Sequence, residues 1–271
     1  MSEKLRPQLY GIFGHPVAHS LSPAMHNAAF SHLRIEACYI PFDVTDIKAA
    51  IQAVRTLGIR GVSITVPHKI SIMSHLDHID DTAQKIGAVN TVANQDGKLT
   101  GTNTDGIGAI RALSKAGSLK DKRIVVIGAG GAARAIGFGV RSVGGKVIIV
   151  NRTIDRGRKL AEDLGCDFVP LDEITAADAD IIVNATTVGM HPDSDKSPVP
   201  YECLKPGIVV MDAVYSPLKT RLLKEAETRG CMTINGLYML VYQGAAQFEI
   251  WTGEKAPVDF MLGAAKDKIE D

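Results

Sequence analysis

Two periods of apolar and polar positions run through this chain. Short apolar runs rich in β-branched residues have strand length: Leu9 to Phe13, Cys38 to Val44, Gly61 to Val66, Ile124 to Ile127 and Val147 to Val150. Asp167 to Val169, Asp180 to Asn184, Ile208 to Asp212 and Met232 to Ile234 read the same way. Between them the spacing is helical. Asp46 opens a helix with Ile47, Ala50, Ile51, Val54 and Leu57 on one face, and Gly58 stops it. Another helix is predicted from Ala24 to about Leu33, with Ser22 as its N-cap and Pro23 at its first helical position. Further helical stretches cover Ile70 to Ile86 (interrupted near His78), Gly106 to about Ala116, Leu237 to Trp251 and Val258 to about Lys266. Ala88 to Ala93 and Lys98 to Thr100 flank Asp96-Gly97, a hairpin signal.

Strands alternating with helices predict an α/β protein. One stretch within it is chemically specific. From Arg123 to Thr153 the chain reads strand, tight turn, helix, strand, with Gly128-Ala129-Gly130-Gly131-Ala132-Ala133 at the turn. This is the pattern of a βαβ nucleotide-binding unit. Gly128 lets the chain bend as it leaves the strand, and Gly130 lets a pyrophosphate approach the backbone. The helix starting near Gly131 directs unpaired N–H groups and its positive dipole end at that anion. Ala132 and Ala133 allow close helix–sheet packing. An acidic residue at the end of the second strand would suit NAD. The chain instead has Asn151-Arg152-Thr153, with Arg156 one turn on, and positive charge there suits the 2′-phosphate of NADP. The alternative is that both arginines are solvated helix-start residues.

The first hundred residues lack such a turn and read as a separate α/β substrate domain, residues 1–105. The nucleotide domain takes 106–236, and closing helices within 237–271 are expected to pack back on the first domain. The polar, proline-bearing segment His191 to Pro200 is expected to be an exposed loop. Lys plus Arg and Asp plus Glu both number 30, so net charge is zero and nothing argues for nucleic acid or an anionic membrane. Apolar runs fall short of the roughly 20 residues that cross a bilayer. The N-terminus, MSEKLRPQ, has no signal-peptide apolar region. Cys38, Cys166, Cys203 and Cys231 show no CxxC spacing and read as reduced, partly buried cytosolic thiols. The histidines are scattered, so no metal site is expected.

Several motifs together resemble the shikimate dehydrogenase family. They are Gly14-His15-Pro16-Val17-Ala18-His19-Ser20-Leu21-Ser22-Pro23, Val62-Ser63-Ile64-Thr65-Val66-Pro67-His68-Lys69, Gly87 to Thr91, Asn103-Thr104-Asp105-Gly106, Gly128 to Ala133, Asn151-Arg152-Thr153, Asn184-Ala185-Thr186, Asp212 to Tyr215 and Gly236 to Gln243. The match runs in order along nearly the whole chain. Ser63 is a departure, since the family often has Asn there. The resemblance implies an N-terminal substrate domain, a C-terminal Rossmann NADP-binding domain and a cleft between them. It also implies reversible NADP-linked reduction of 3-dehydroshikimate to shikimate, a small-molecule substrate; separately, a cytoplasmic monomer or homodimer is expected.

With that resemblance, Ser20 and Ser22 are candidate hydroxyl donors to a substrate carboxylate, while Ser22 alone reads as a helix cap. Thr65, Asn90 and Gln243 suit ring hydroxyls, or else ordinary strand-end and helix hydrogen bonds. Tyr215 contacts substrate or lines the site. Lys69 follows the strand that Pro67 ends, where ligands bind in open α/β folds; its bland alternative is an exposed lysine. Asp105 orients Lys69 and bonds a substrate hydroxyl, or caps the helix starting at Gly106. The resemblance carries Lys69 and Asp105 into the catalytic role. It puts Asp81 near the cofactor, with Gly128, Ala129, Gly130, Gly131, Ala132, Asn151, Arg152, Thr153, Arg156, Ala213 and Gly236. Two alternatives stay open: a quinate/shikimate dehydrogenase, and a non-catalytic nucleotide sensor. Such a sensor should have lost Lys69 or Asp105, and both are present.

Overall fold

The computed structural model describes residues 7–176 and 178–270. Residues 1–6, most of the N-terminal segment read above, lie outside them. The chain divides into two compact units, Met1–Thr104 with Gln243–Asp271, and Asp105–Tyr242.

The first unit begins with β1 (Gln8–Gly14), α1 (Ser22–His32), β2 (Ala37–Asp43), α2 (Ile47–Leu57) and β3 (Gly61–Ile64). It continues through β4 (His78–Ile79), α3 (Asp81–Ile86), β5 (Thr91–Gln95) and β6 (Lys98–Thr102). Its mixed sheet has the order β2-β1-β3-β5-β6-β4. Period-two alternation gives the sheet two different faces. Phe13, Val62, Ile64, Val92 and Leu99 pack on the inner side of α2. Tyr10 points the other way, its ring 5.1 Å from Phe30 and 5.4 Å from Trp251. Ser63 and Thr91, paired in register, share that second face.

Local chemistry sets the element ends. Asp46 accepts the Ala49 N–H at 3.0 Å and so caps α2, and Gly58 ends it in the left-handed region at φ 66°. Asp96 and Gly97, with φ of 52° and 92°, make the hairpin turn between β5 and β6. Three expectations need correction. Leu57 is 68% exposed, so the buried face of α2 ends at Val54. The stretch from Ile70 to Ile86 is not one interrupted helix. It is a 3-10 turn over Ser71–His75, then β4 paired parallel to β6, then the short α3. And β3 stops at Ile64, although the Thr65 N–H still donates to Phe13 O at 2.9 Å.

The second unit contains α4 (Asp105–Leu113), β7 (Arg123–Ile127), α5 (Gly131–Ser142), β8 (Lys146–Asn151), α6 (Ile154–Leu164) and β9 (Asp167–Pro170). Then come β10 (Ile181–Asn184), β11 (Val209–Asp212), α7 (Arg221–Thr228), β12 (Met232–Ile234) and the start of α8 (Gly236–Thr252). Its sheet, β12-β11-β10-β7-β8-β9, is parallel throughout. Strand order reverses direction between β7 and β10, which is the Rossmann arrangement and its ligand-binding switch point. Ile124 and Val126 face the core with α4, α5 and α6, while Val125 and Ile127 face the core with α7. The second division of the chain falls inside α8, and α9 (Val258–Glu270) belongs to the first unit, where Phe260 stacks on His32.

Candidate active site

In the first unit, register brings the candidate residues to one end of the sheet. Phe13 pairs with Ile64, and Ser63 with Thr91, so Gly14, Thr65 and Asn90 leave their strands side by side. Thr102 pairs with Thr91, which adds Asn103 and Thr104 to the same end. The loop carrying Lys69 is pinned on both sides of that residue's chain position. The Lys69 carbonyl accepts the Val89 N–H at 2.8 Å, and buried His68 places Nε2 2.6 Å from Val44 O. Lys69 itself is half-buried. Asp81 is exposed in the first turn of α3, in this unit, whereas every other expected cofactor residue lies in the second unit.

The capping expectation for Ser22 is corrected. Ser22 is the first residue of α1, Leu21 holds the cap position, and the Ser22 N–H donates to Ser20 Oγ at 3.2 Å. The Ser-x-Ser pair divides the work differently from the sequence pattern. Ser20 Oγ accepts from the helix end and keeps its proton to donate. Ser22 is buried beside Tyr39, whose phenol burial pushes well above the ordinary range, with Ser63 and Ser22 opposing the shift.

Behind these residues lies a buried polar chain in which the sequence pattern had marked only Asn90 and Gln243. Asn90 Nδ2 donates to Thr104 Oγ1 at 3.0 Å and to Gln243 Oε1 at 3.3 Å. Gln247, one helical turn beyond Gln243, donates to Asn90 O and Thr91 Oγ1 and accepts from Ser63. The i, i+4 spacing of the two glutamines was the available signal. Fully buried His26 stacks on Tyr39 at 4.4 Å, and neither ring nitrogen has a hydrogen-bond partner. Burial pushes its pKa down to about 3, with nearby Gln247 opposing part of the shift, so the ring is neutral at any working pH.

In the second unit the glycine turn meets its sequence expectation with two distinct glycines. Gly128 has φ 120°, and a Cβ there would sit 3.1 Å from Thr186 Cγ2, so the fold itself requires glycine. Gly130 has an extended backbone, and a Cβ there would meet nothing within 4 Å. Neither conformation nor packing demands glycine at 130, which leaves room over the backbone as its use. Gly131, exposed beside it, has the same open space. Gly130 caps α5 with no side-chain hydrogen bond, so the first N–H groups of a 12-residue helix face that space. Half-buried Ala129 and Ala132 flank it, and Ala133 is fully buried in the core.

At the end of β8, Asn151 Nδ2 donates to Thr153 O at 2.8 Å and holds the turn into α6. Arg152 and Arg156 are exposed and form no ion pair among the described residues. This set fits a dinucleotide with an extra phosphate: open glycine backbone, an uncapped helix start and two uncommitted guanidinium groups.

The neighbouring strand ends carry a polar knot. Asn184 Nδ2 donates to Asp212 Oδ1 at 2.9 Å, the Val214 N–H to the same oxygen at 3.0 Å, and Thr220 to Oδ2 at 2.6 Å. Burial raises the pKa of Asp212, and its three donors oppose the shift. The knot fixes Ala213 and the approach to Tyr215, whose phenol burial also raises. Gly236 packs against this turn, where a Cβ would lie 2.4 Å from Ala213 O. Asp105 is the half-buried first residue of α4, with its acid at the favourable end of the helix dipole.

Among the described residues no group of His, Cys, Asp or Glu is arranged to hold a metal, and no helix is long and apolar enough to cross a membrane. All four cysteines are free; Cys38 is exposed rather than partly buried, and burial pushes Cys166 up to about 11.

Residues 12–92 match the shikimate dehydrogenase substrate binding domain, 111–192 the shikimate / quinate 5-dehydrogenase domain and 236–266 the shikimate 5′-dehydrogenase C-terminal domain. The chain is 48% identical over 261 residues, 95% of each chain, to a shikimate dehydrogenase (NADP(+)) of Pyrococcus furiosus. A crystal structure of a shikimate dehydrogenase in complex with NADP+ superposes with a TM-score of 0.93 at 47% identity, covering 97% of this chain and 96% of that one. The Thermus thermophilus shikimate 5-dehydrogenase in complex with NADP(H) and shikimate gives 0.91 at 41% identity, covering 96% and 99%. With this identity along nearly its whole length, the chain belongs to the shikimate dehydrogenase family.

Proposed function

We propose that the protein is an NADP-dependent oxidoreductase that reversibly reduces 3-dehydroshikimate to shikimate, in the route to aromatic amino acids. The observation that carries this reading is the open, uncapped start of α5 over Gly130, with unpaired Arg152 and Arg156, in a chain 48% identical to an NADP-dependent relative. Bound NADP supplies or accepts the hydride. Reduction leaves negative charge on the former ketone oxygen, and the Lys69 side chain stabilises that charge and gives the proton. In oxidation the same amine accepts the hydroxyl proton. Asp105 holds the adjacent ring hydroxyl and so orients the reacting carbon. Ser20 and Ser22 donate to the substrate carboxylate, and Thr65, Asn90, Gln243 and Tyr215 contact the ring. Asp81 borders the cofactor. Zero net charge supports a small-molecule substrate without a nucleic-acid partner. In the same reading the enzyme is cytoplasmic and acts as a monomer or homodimer.

The test is NADPH formation from shikimate and from quinate, each repeated with NAD. Shikimate with NADP should be the fastest pair. A folded protein that forms no NADPH from shikimate would sink the reading, and faster turnover of quinate would move it to the quinate/shikimate class.

A further inference from the structure

The buried chain beneath Asn90 has a fixed direction, and two backbone groups set it. A carbonyl can only accept and an amide N–H can only donate. Gln247 Nε2 lies 3.0 Å from Asn90 O, so it is the donor side of Gln247 that faces β5. Its Oε1 therefore faces Ser63 and accepts that hydroxyl at 2.7 Å. Ser63 in turn accepts from Tyr39 Oη at 2.6 Å. At the other end the Thr104 N–H donates to Asn90 Oδ1 at 2.8 Å, which turns Asn90 Nδ2 toward Gln243 Oε1. Thr91 links the halves, accepting from Gln247 Nε2 at 3.0 Å and donating to Asn90 Oδ1 at 2.7 Å.

Gln247 is 1% exposed, and all its polar atoms are engaged in this chain. It has no group left to touch a ligand, yet it holds both Asn90 and Thr91. We propose that Gln247, backed by Ser63 and Tyr39, is a positioning residue that acts through Asn90 O and Thr91 to reinforce the Asn90 amide orientation set by the Thr104 N–H, and thereby keeps Gln243 Oε1 turned to Asn90 Nδ2 in the geometry that the ring substrate meets. This rests on the reading that Asn90 and Gln243 hold that substrate. The neutral His26 ring under Tyr39 keeps charge away from the chain.

The test has two arms. In the first, Gln247→Met, Ser63→Ala and Tyr39→Phe are compared for shikimate KM, NADP KM, kcat and melting temperature. Gln247→Met should raise shikimate KM roughly 5- to 30-fold, Ser63→Ala less, and Tyr39→Phe about twofold. NADP KM should stay within about twofold of the parent, since the chain lies within the first unit. Ser63→Ala added to Gln247→Met should raise shikimate KM no further, because its route to Asn90 runs through Gln247. A merely structural role would lower melting temperatures and leave this split and this non-additivity absent. In the second arm, the side-chain amide NMR signals of Asn90 and Gln243 are recorded without ligand. They should shift or broaden in Gln247→Met, and in Ser63→Ala if the first variant does not fold. Unchanged amide signals, or a folded Gln247→Met with parental shikimate KM, would overturn the proposal. A parent protein inactive on shikimate would instead overturn the functional reading, while the amide signals still decide the orientation.

Discussion

At the strand ends that carry its candidate residues, the first unit buries a chain of neutral amides and hydroxyls, whereas the second buries a carboxylate. The neutral chain from Tyr39 to Gln243 passes orientation along through uncharged donors and acceptors. The Asp212 knot gathers three donors on one acid and locks the turn after β11. Burying that acid has a desolvation cost, visible in its raised pKa. A buried chain of neutral groups takes a direction that can be read from its neighbours. A unit that must hold a backbone cradle still can use a single strong acceptor.

The contrast can be broken one unit at a time. The largest effect is expected from Lys69→Ala, which should lower turnover roughly 10²- to 10⁴-fold while shikimate and NADP KM change far less. Turnover within about tenfold of the parent in a folded variant would remove Lys69 from the chemistry. On the cofactor side, Arg152→Ala should raise NADP KM roughly 10- to 150-fold, the loss of a charge-assisted bond worth about 1.5–3 kcal/mol, and leave NAD nearly unaffected. Equal losses with both cofactors would show that Arg152 does not read the 2′-phosphate. Gly130→Ala should weaken both cofactors without lowering the melting temperature, because the protein leaves that Cβ open space.

Smaller effects separate the two serines. Ser20→Ala removes the acceptor of the Ser22 N–H and should cost about 1 kcal/mol of stability. Ser22→Ala should raise shikimate KM with a smaller change in melting, the reverse of the order that the Ser-Pro pattern predicts. A lower melt for Ser22→Ala than for Ser20→Ala would refute this division of roles.

The smallest effect concerns Asp212. Its folded pKa lies above the unfolded value of about 3.9, so the folded state binds the proton more tightly. This group's contribution to stability is therefore fully present below about pH 3.9 and is lost as pH rises through the folded value. Asp212→Asn keeps Oδ1 for Asn184 and Val214, and the Thr220 hydroxyl can turn to accept instead. The variant should differ from the parent by less than about 1 kcal/mol, and the difference should move in its favour as pH rises above about 4. A pH-independent difference would mean that Asp212 carries no buried charge.

Much of this protein was legible before any coordinates. The turn Gly128 to Ala133, the Asp46 and Gly58 ends of α2 and the Asp96-Gly97 hairpin are local, and each follows from contacts a few residues apart. The motif order was enough to indicate the family. What only the tertiary structure decided lies between distant positions. Ser63 and Gln247 are 184 positions apart, and no periodicity in either segment announces their bond. The pairing of β4 with β6, the exposure of Leu57 and the gathering of Asn184 and Thr220 on Asp212 arise in the same way. A residue's spacing records the face it occupies. The group it meets there depends on which other segment packs against that face, and only the folded chain supplies it.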